Sequence, residues 1–419
     1  MADWVFQTRG PLDPVKHAAV FVERPEGDEI IHLARQAHVS NYVALLSSRQ
    51  TGKTTLLYQV RRRLQERHYA VAFVDLSVLG DQDEPACYQY VSSQIEAELH
   101  PYRPYGEPLT ATPVRSSLEF RSFLLKLARQ TPVTRIVIML DEVGAIPSDV
   151  SDVFFSTIRN VFSSRNKESE GDFQKYLFIF SGATDLHTLT TGENSPLNIC
   201  EKVYLQDFDR EGVRKLVDNF PRLGATVQRG VVTYLHELTG GHPYLTQRVC
   251  SIMERQGVKQ VDAGAVDQAV EFMLQGDDNL THVIRQLERE PEARYLLQQI
   301  VMEGQKVYFS RLNPLVAQLE MIGAVKGGPF CRVRNPIYER ALRRYFQFVA
   351  STSSSAISEE KRLALLRDQL RVLQINLARL ELREAQYGLD VPTALANEIE
   401  MTRENIARVE REIALLEGR

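Results

Sequence analysis

Gly52, Lys53 and Thr54 open an amphipathic helix straight after an apolar strand and a short polar loop, in the run LLSSRQTGKTTLL from Leu45 to Leu57. At that spacing the glycine lets the backbone curl so that successive N–H groups converge on one anion. The lysine adds a point charge near outer phosphates, the threonine hydroxyl suits Mg2+, and the helix N-terminus adds partial positive charge. The pattern for such a loop is G-x-x-x-x-G-K-[ST], and here Ser47 replaces its first glycine. That position only ends the strand, and serine is small enough to do so, which leaves nucleotide binding as the favoured reading. Context supports it. Tyr42 to Leu46 is continuously apolar, and Leu56, Leu57, Val60 and Leu64 recur on one helical face with Arg61, Arg62, Arg63 and Glu66 elsewhere.

A second constellation lies downstream. The run RIVIMLDE ends a buried strand on Asp141 and Glu142, where the aspartate suits Mg2+ through water and the glutamate suits orienting an attacking water. Such a pair predicts hydrolysis as well as binding. A bland alternative is an acidic strand end that caps the next helix. A third strand, YLFIFSGATDL, ends in polar residues. In ATPases that insert a strand between the loop strand and the Asp-Glu strand, a residue here reaches the attacking water or γ-phosphate, with Thr184 as the candidate and Ser181 as the alternative.

The elements that must position these groups alternate. Apolar runs at 42–46, 71–76, 135–140, 176–181 and 202–206 are separated by helical stretches, which predicts a parallel sheet covered on both faces. Ligands on such sheets sit beyond the carboxyl ends of the strands, where the loop at 47–52 falls. The segment PYRPYGEPLTATP (101–113) reads as a surface excursion. After about residue 210 the strands stop and helical periodicity takes over, predicting a small all-helical domain. Residues 281–349 then give helices, VYFS at 307–310, a helix around Leu315 to Leu319, and a pair of strands turning at Gly327-Gly328, the pattern of a winged helix-turn-helix.

Residues 350–358, ASTSSSAIS, read as a flexible linker. Beyond them Leu363, Leu366, Leu370, Leu373, Leu377 and Leu380 form one seam, and Leu395, Ile399, Thr402, Ile406, Val409, Ile413 and Leu416 a second. A Gly/Pro break between equal seams predicts an antiparallel helical hairpin, the alternative being that each seam pairs with another chain. The domain reading is therefore an α/β ATPase domain at 1–210, a helical lid at 211–280, a winged helix at 281–349, a linker at 350–358 and a helical hairpin at 359–419.

Composition bounds the rest. A net charge of -4 over 419 residues gives no global pull toward nucleic acid or anionic membrane. The N-terminus, MADWVFQTRGPLDP, holds no signal-peptide core, and no segment approaches the roughly 20 apolar residues a bilayer needs. Cys87, Cys200, Cys250 and Cys331 are scattered without ligand spacing, the pattern of buried free thiols in a reducing cytoplasm. A cytoplasmic protein without a membrane partner is expected.

In order along the chain, FVERPEGDEIIHLAR (21–35), SSRQTGKTTLL, the Asp-Glu strand end, SPLNICEKVYLQDF (195–208) and TGGHPYLTQRVC (239–250) resemble the AAA-like branch of the STAND P-loop ATPases. These are regulatory ATPases of prokaryotic signalling and defence systems, and the resemblance covers roughly residues 15 to 348. It implies ATP/ADP and Mg2+ as ligands. Phe21-Val22-Glu23-Arg24 matches the family's h-h-G-R signature, so Val22 and Arg24 would flank the adenine, although Glu23 stands where glycine is usual. Arg49, Gln50, Thr51, Gly52, Lys53, Thr54 and Thr55 would cradle the phosphates, with Thr54 and Asp141 as metal ligands and Glu142, Lys53 and Thr184 as catalytic residues. Gly241-His242-Pro243 matches the family's G-x-P lid motif, whose proline packs near the adenine and whose closure reports the nucleotide state, and His242 within it is a donor that could reach a phosphate. The same tripeptide also reads as a helix stop and restart.

Relatives usually follow the lid with a winged helix. Residues 281–349 carry eleven Lys/Arg against six Asp/Glu, a net of +5, with Arg332, Arg334, Arg340, Arg343 and Arg344 around the wing and last helix. A basic wing could bind a DNA backbone. In the resembled family this domain commonly packs on the nucleotide module and holds it shut. The C-terminal segment ARLELREAQYGLDVPTALANEIEMTRENI resembles small helical-hairpin adaptors appended to such bacterial ATPases. The favoured expectation is a switch ATPase that recruits a protein partner through residues 359–419, with a nucleotide-dependent homo-oligomer open. The alternatives are a DNA-binding initiator-like ATPase and a non-hydrolysing, nucleotide-bound scaffold.

Overall fold

The computed structural model describes residues 4–36, 38–103, 108–190, 195–356, 359–387 and 393–417. Strands β1 (Tyr42–Leu46), β2 (Ala70–Asp75), β3 (Ile136–Asp141), β4 (Tyr176–Gly182) and β5 (Cys200–Tyr204) form one sheet in the order β2-β3-β4-β1-β5. Every pairing is parallel. Continuous apolar runs are the form such strands take when helices cover both faces. All of β1, β3 and β4 is buried, and helices α1 (Glu26–Arg35), α2 (Lys53–Gln65), α3 (Glu84–Leu99), α4 (Ser117–Gln130) and α5 (Ser148–Ser164) contribute to the same core. Helix α6 (Thr184–Thr190) follows β4.

The register decides what meets at the site. Leu46 pairs with Gly182 and Leu140 with Phe180, so β4 lies between β1 and β3 and their three carboxyl ends open side by side. The third strand is thus inserted where the sequence reading requires it.

Beyond β5 come α7 (Arg210–Val217), α8 (Val231–Thr239), α9 (Pro243–Arg255) and α10 (Ala263–Leu274). The strands do not stop entirely, a correction to the all-helical expectation. Thr226–Val227 (β6) and Gln260–Val261 (β7) form a two-residue parallel pair, too short to leave a periodic signal. Helices α11 (Asp278–Arg289), α12 (Pro291–Gln298) and α13 (Pro314–Ile322) follow, then the antiparallel pair β8 (Val325–Lys326) and β9 (Arg332–Val333). The expected strand at 307–310 reduces to a single bridge, Tyr308 to Phe330.

One compact unit ends at Arg343 and a second begins at Arg344. The serine-rich stretch expected to be a flexible linker is helical as far as Ala356, within α14 (Pro336–Ala356). Serine and alanine oppose helix only weakly, and no glycine or proline interrupts the run. In the second unit α15 (Glu359–Tyr387) and α16 (Thr393–Glu417) run antiparallel: Leu366 near the start of one packs with Val409 and Ile413 near the end of the other, while Glu381 meets Arg403 at 2.7 Å. The predicted turn at 388–392 lies outside the described residues.

Candidate functional site

The phosphate loop leaves β1 at Ser47, whose N–H reaches Gly182 O at 3.4 Å and whose hydroxyl faces Leu205 O at 3.5 Å. Serine thus ends the strand by tying it to both neighbours. Gly52 sits at φ 93°, a left-handed conformation that glycine adopts without steric cost, and Gln50 at φ 59°, where a side chain is uncommon. Thr51 is fully buried and donates to Ser48 O at 2.8 Å. Lys53 folds over the loop and donates to Ser47 O at 3.2 Å and Ser48 O at 3.0 Å. Burial lowers its ammonium pKa below the ordinary range, against the opposing pull of Glu142 and Asp141.

On the β3 side, Thr54 donates its hydroxyl to Asp141 Oδ2 at 2.6 Å. Asp141 is buried, and its Oδ1 has no hydrogen-bond partner. A buried carboxylate oxygen left open beside a hydroxyl is the donor set a hard cation requires, so these residues fit Mg2+. Glu142 follows at φ 54°, ψ 51°, exposed at the mouth of the site. Ser181 is fully buried and its hydroxyl also lacks a partner, which makes it the polar group that β4 presents here. Thr184, the first choice from the sequence, opens α6, and its side chain lies outside the described ones.

Of the predicted adenine-side residues, Val22 packs against Gly212 of α7, and Arg24 is buried over the Phe208 ring at 4.8 Å. The Thr55 hydroxyl accepts from Leu12 N at 3.0 Å, which lays the N-terminal segment across the start of α2. Pro243 begins α9 as its first residue and His242 caps that helix, with Gly240 ending α8 in a left-handed conformation. The stop-and-restart reading of this tripeptide therefore describes its geometry. His242 is fully buried, and its nitrogens face Leu245 N at 3.5 Å and the Tyr338 hydroxyl at 3.4 Å. Both ring nitrogens thus have partners within the protein, where the sequence left His242 open as a donor to a phosphate. Burial, then the neighbouring Arg334, pushes its pKa down to about 3, so the ring is neutral.

The tip of the loop is held from a distant part of the sequence. Arg334, just past β9, donates Nη1 to the Ser48 hydroxyl while Nη2 and Nε reach the two Asp207 oxygens at 2.6 and 3.3 Å. Arg49 Nη1 faces His282 Nδ1 at 3.1 Å, and Gln50 Oε1 accepts from Asn279 Nδ2 at 2.7 Å. Gly323, at the end of α13, makes this approach feasible: a Cβ there would lie 2.9 Å from the Ser48 side chain. Burial alone would raise the Asp207 carboxyl, but Arg334 holds it below its ordinary value.

Of the arginines around the expected wing, Arg334 faces inward, as packing on the nucleotide module requires and a DNA contact does not. Arg334 is buried and committed to Asp207 and Ser48, Arg343 pairs with Glu339 at 2.8 Å, and Arg340 lies 3.9 Å from Asp267. Arg332, Arg343 and Arg344 are exposed. Ser48, Asp207, Asn279, His282 and Tyr338 were not singled out from the sequence. The signal there is position alone: Ser48 lies within the phosphate loop, and Asp207 is the next-to-last residue of the block SPLNICEKVYLQDF.

A parallel five-stranded sheet with a phosphate loop after β1 and an acidic end on β3 defines a P-loop ATPase fold. The chain belongs to the AAA-like domain family, whose model matches residues 10–347. An uncharacterized WD repeat-containing protein of Synechocystis sp. is 22% identical over 336 residues, covering 73% of this chain and 28% of its own length. The chain thus spans under a third of that relative. The Walker-type ATPase of Pyrococcus abyssi aligns at TM-score 0.58 and 18% identity, over 81% of this chain and 99% of its own. The Aeropyrum pernix ORC2 protein aligns at TM-score 0.44 and 13% identity, over 80% and 97% of the two chains. At 18% identity the likeness to the Pyrococcus abyssi ATPase speaks for the fold alone. No helix among the described residues is long and apolar enough to cross a membrane.

Proposed function

We propose that the chain is a STAND-type switch ATPase: Mg-ATP seats on the phosphate loop, its γ-phosphate sets how the elements around the loop are held, and slow hydrolysis resets them. The observation that carries this is the grip on Ser48, Arg49 and Gln50 by Arg334, His282 and Asn279. A loop so held cannot change its phosphate contacts without affecting residues more than 200 positions away. A ligand shifts such an equilibrium only through different affinity for its two states, and these contacts supply the difference.

Within this reading each residue has a role. Lys53 leaves the carbonyls of Ser47 and Ser48 for the outer phosphates, Thr54 and Asp141 hold Mg2+, and the bound ion supplies charge neutralisation on the phosphate oxygens. Glu142 orients the attacking water, with Ser181 or Thr184 assisting. Arg49, Gln50, Thr51, Gly52 and Thr55 line the phosphates, and Val22, Arg24 and Pro243 flank the adenine. The partition into ATPase domain (1–210), lid (211–280), winged helix (281–349) and hairpin (359–419) belongs to the same proposal, as does recruitment of a protein partner by the hairpin. A DNA reading lacks a specific observation, since Arg334 faces inward.

Nucleotide binding and turnover in two variants test the proposal. Lys53→Ala should weaken ATP binding by about 100-fold or more, and Glu142→Gln should retain ATP while turnover falls about 100-fold or more. Unchanged turnover in both variants would remove the assignment.

A further inference from the structure

A buried line of polar side chains joins the phosphate loop to the cap of helix α9. Gln50 Oε1 accepts from Asn279 Nδ2 at 2.7 Å, and Asn279 Oδ1 accepts from the Tyr338 hydroxyl at 2.6 Å. The hydroxyl faces His242 Nε2 at 3.4 Å. Because that hydroxyl donates to Asn279, it accepts from the histidine, which places the imidazole proton on Nε2. The other nitrogen agrees: Nδ1 accepts from the Leu245 N–H, the helix-capping bond. The tautomer follows from the network, and every donor along it has one acceptor. Asn279, Tyr338 and His242 are each at most 2% exposed, so water does not compete for the bonds among these three.

The line spans four elements: the loop, α11, α14 and α9. At its loop end lies Gln50, whose left-handed backbone needs an outside restraint. At its other end lies His242, the cap of α9.

We infer that Asn279 and Tyr338 are positioning residues for the phosphate loop: they hold Gln50 in place and carry the seating of a nucleotide to the His242 cap. This rests on the nucleotide reading proposed above. The line predicts dependence in both directions, since a coupling between loop and cap weakens phosphate binding when it is cut and leaves the cap unresponsive.

Two substitutions cut the line at separate points in the full chain. Tyr338→Phe keeps the ring and removes the hydroxyl, and Gln50→Met keeps the length and removes the amide. The probes are Mg-ATP binding and the imidazole nitrogen resonances of His242 in protein labelled with 15N-histidine. Mg-ATP should shift the His242 resonances in the unmodified chain and leave them unmoved in either variant. Each variant should weaken ATP roughly tenfold, and the pair together no more than either alone. Losses that multiply in the double variant, or a His242 shift that survives Gln50→Met, would overturn the relay. If Tyr338→Phe does not fold, Gln50→Met decides alone, since its side chain is half-exposed on the loop. Nucleotide binding without any His242 response in the unmodified chain defeats the relay and leaves the nucleotide site standing. No binding by the unmodified chain defeats both.

Discussion

On the β3 side of the phosphate loop, Asp141 Oδ1 and the Ser181 hydroxyl are buried without partners, and Glu142 stands exposed. At the loop's tip, Ser48, Arg49, Gln50 and Thr51 each have a partner, three of them from beyond residue 278. A buried polar group without a partner destabilises the fold, so the open side is where a ligand gains most by supplying one. On the closed side the side chains already have partners within the protein. The effect is to make the loop's conformation depend on the rest of the unit. On the proposed reading, one side is arranged for chemistry and the other for communication.

This contrast can be broken by substitution. The largest effect expected is the loss of nucleotide binding in Lys53→Ala, because that ammonium serves both sides. Next is Arg334→Met, which leaves the part-buried Asp207 carboxylate without its cation and should destabilise the chain by about 2–4 kcal/mol, read as a lower urea midpoint. Ser181→Ala is its counterpart on the open side. It removes a hydroxyl with no protein partner, so stability should change by less than about 1 kcal/mol while turnover falls. A large loss of stability in Ser181→Ala, or none in Arg334→Met, would erase the distinction between the two sides.

A smaller effect concerns pH. His242 is held neutral with its pKa pushed down to about 3, so between the ordinary histidine value and that point the unfolded chain binds a proton that the folded chain does not. Its contribution is therefore complete above about pH 6.5 and is lost as pH falls, by up to about 1.4 kcal/mol per unit. Arg334 and Arg24 oppose protonation here and Asp207 favours it, with Tyr338 as the neutral neighbour. His187 and His282 are shifted in the same direction and add to the slope. Chemical unfolding at pH 7 and pH 5 should show a shallower decline for His242→Gln than for the unmodified chain.

Much of the site was legible because phosphate chemistry is local in sequence. Gly52-Lys53-Thr54 and Asp141 follow buried strands, and apolar runs bounded by helices admit few sheet arrangements. The contacts from Arg334, Asn279 and Tyr338 were not legible, since each depends on a packing partner far along the chain. Charge left Arg334 undecided between a DNA backbone and an intramolecular partner, since a count of cations carries no information about which face they occupy. At 350–356 composition suggested a linker, but the absence of a helix breaker after α14's apolar turns decided the outcome.

Hydrogen exchange with and without Mg-ATP tests most directly whether the loop's occupancy is felt across the unit. Amides of 278–289 and 336–343 should change protection when ATP binds, and Lys53→Ala should abolish the change. A response confined to the phosphate loop and α2, with ATP demonstrably bound, would contradict the account.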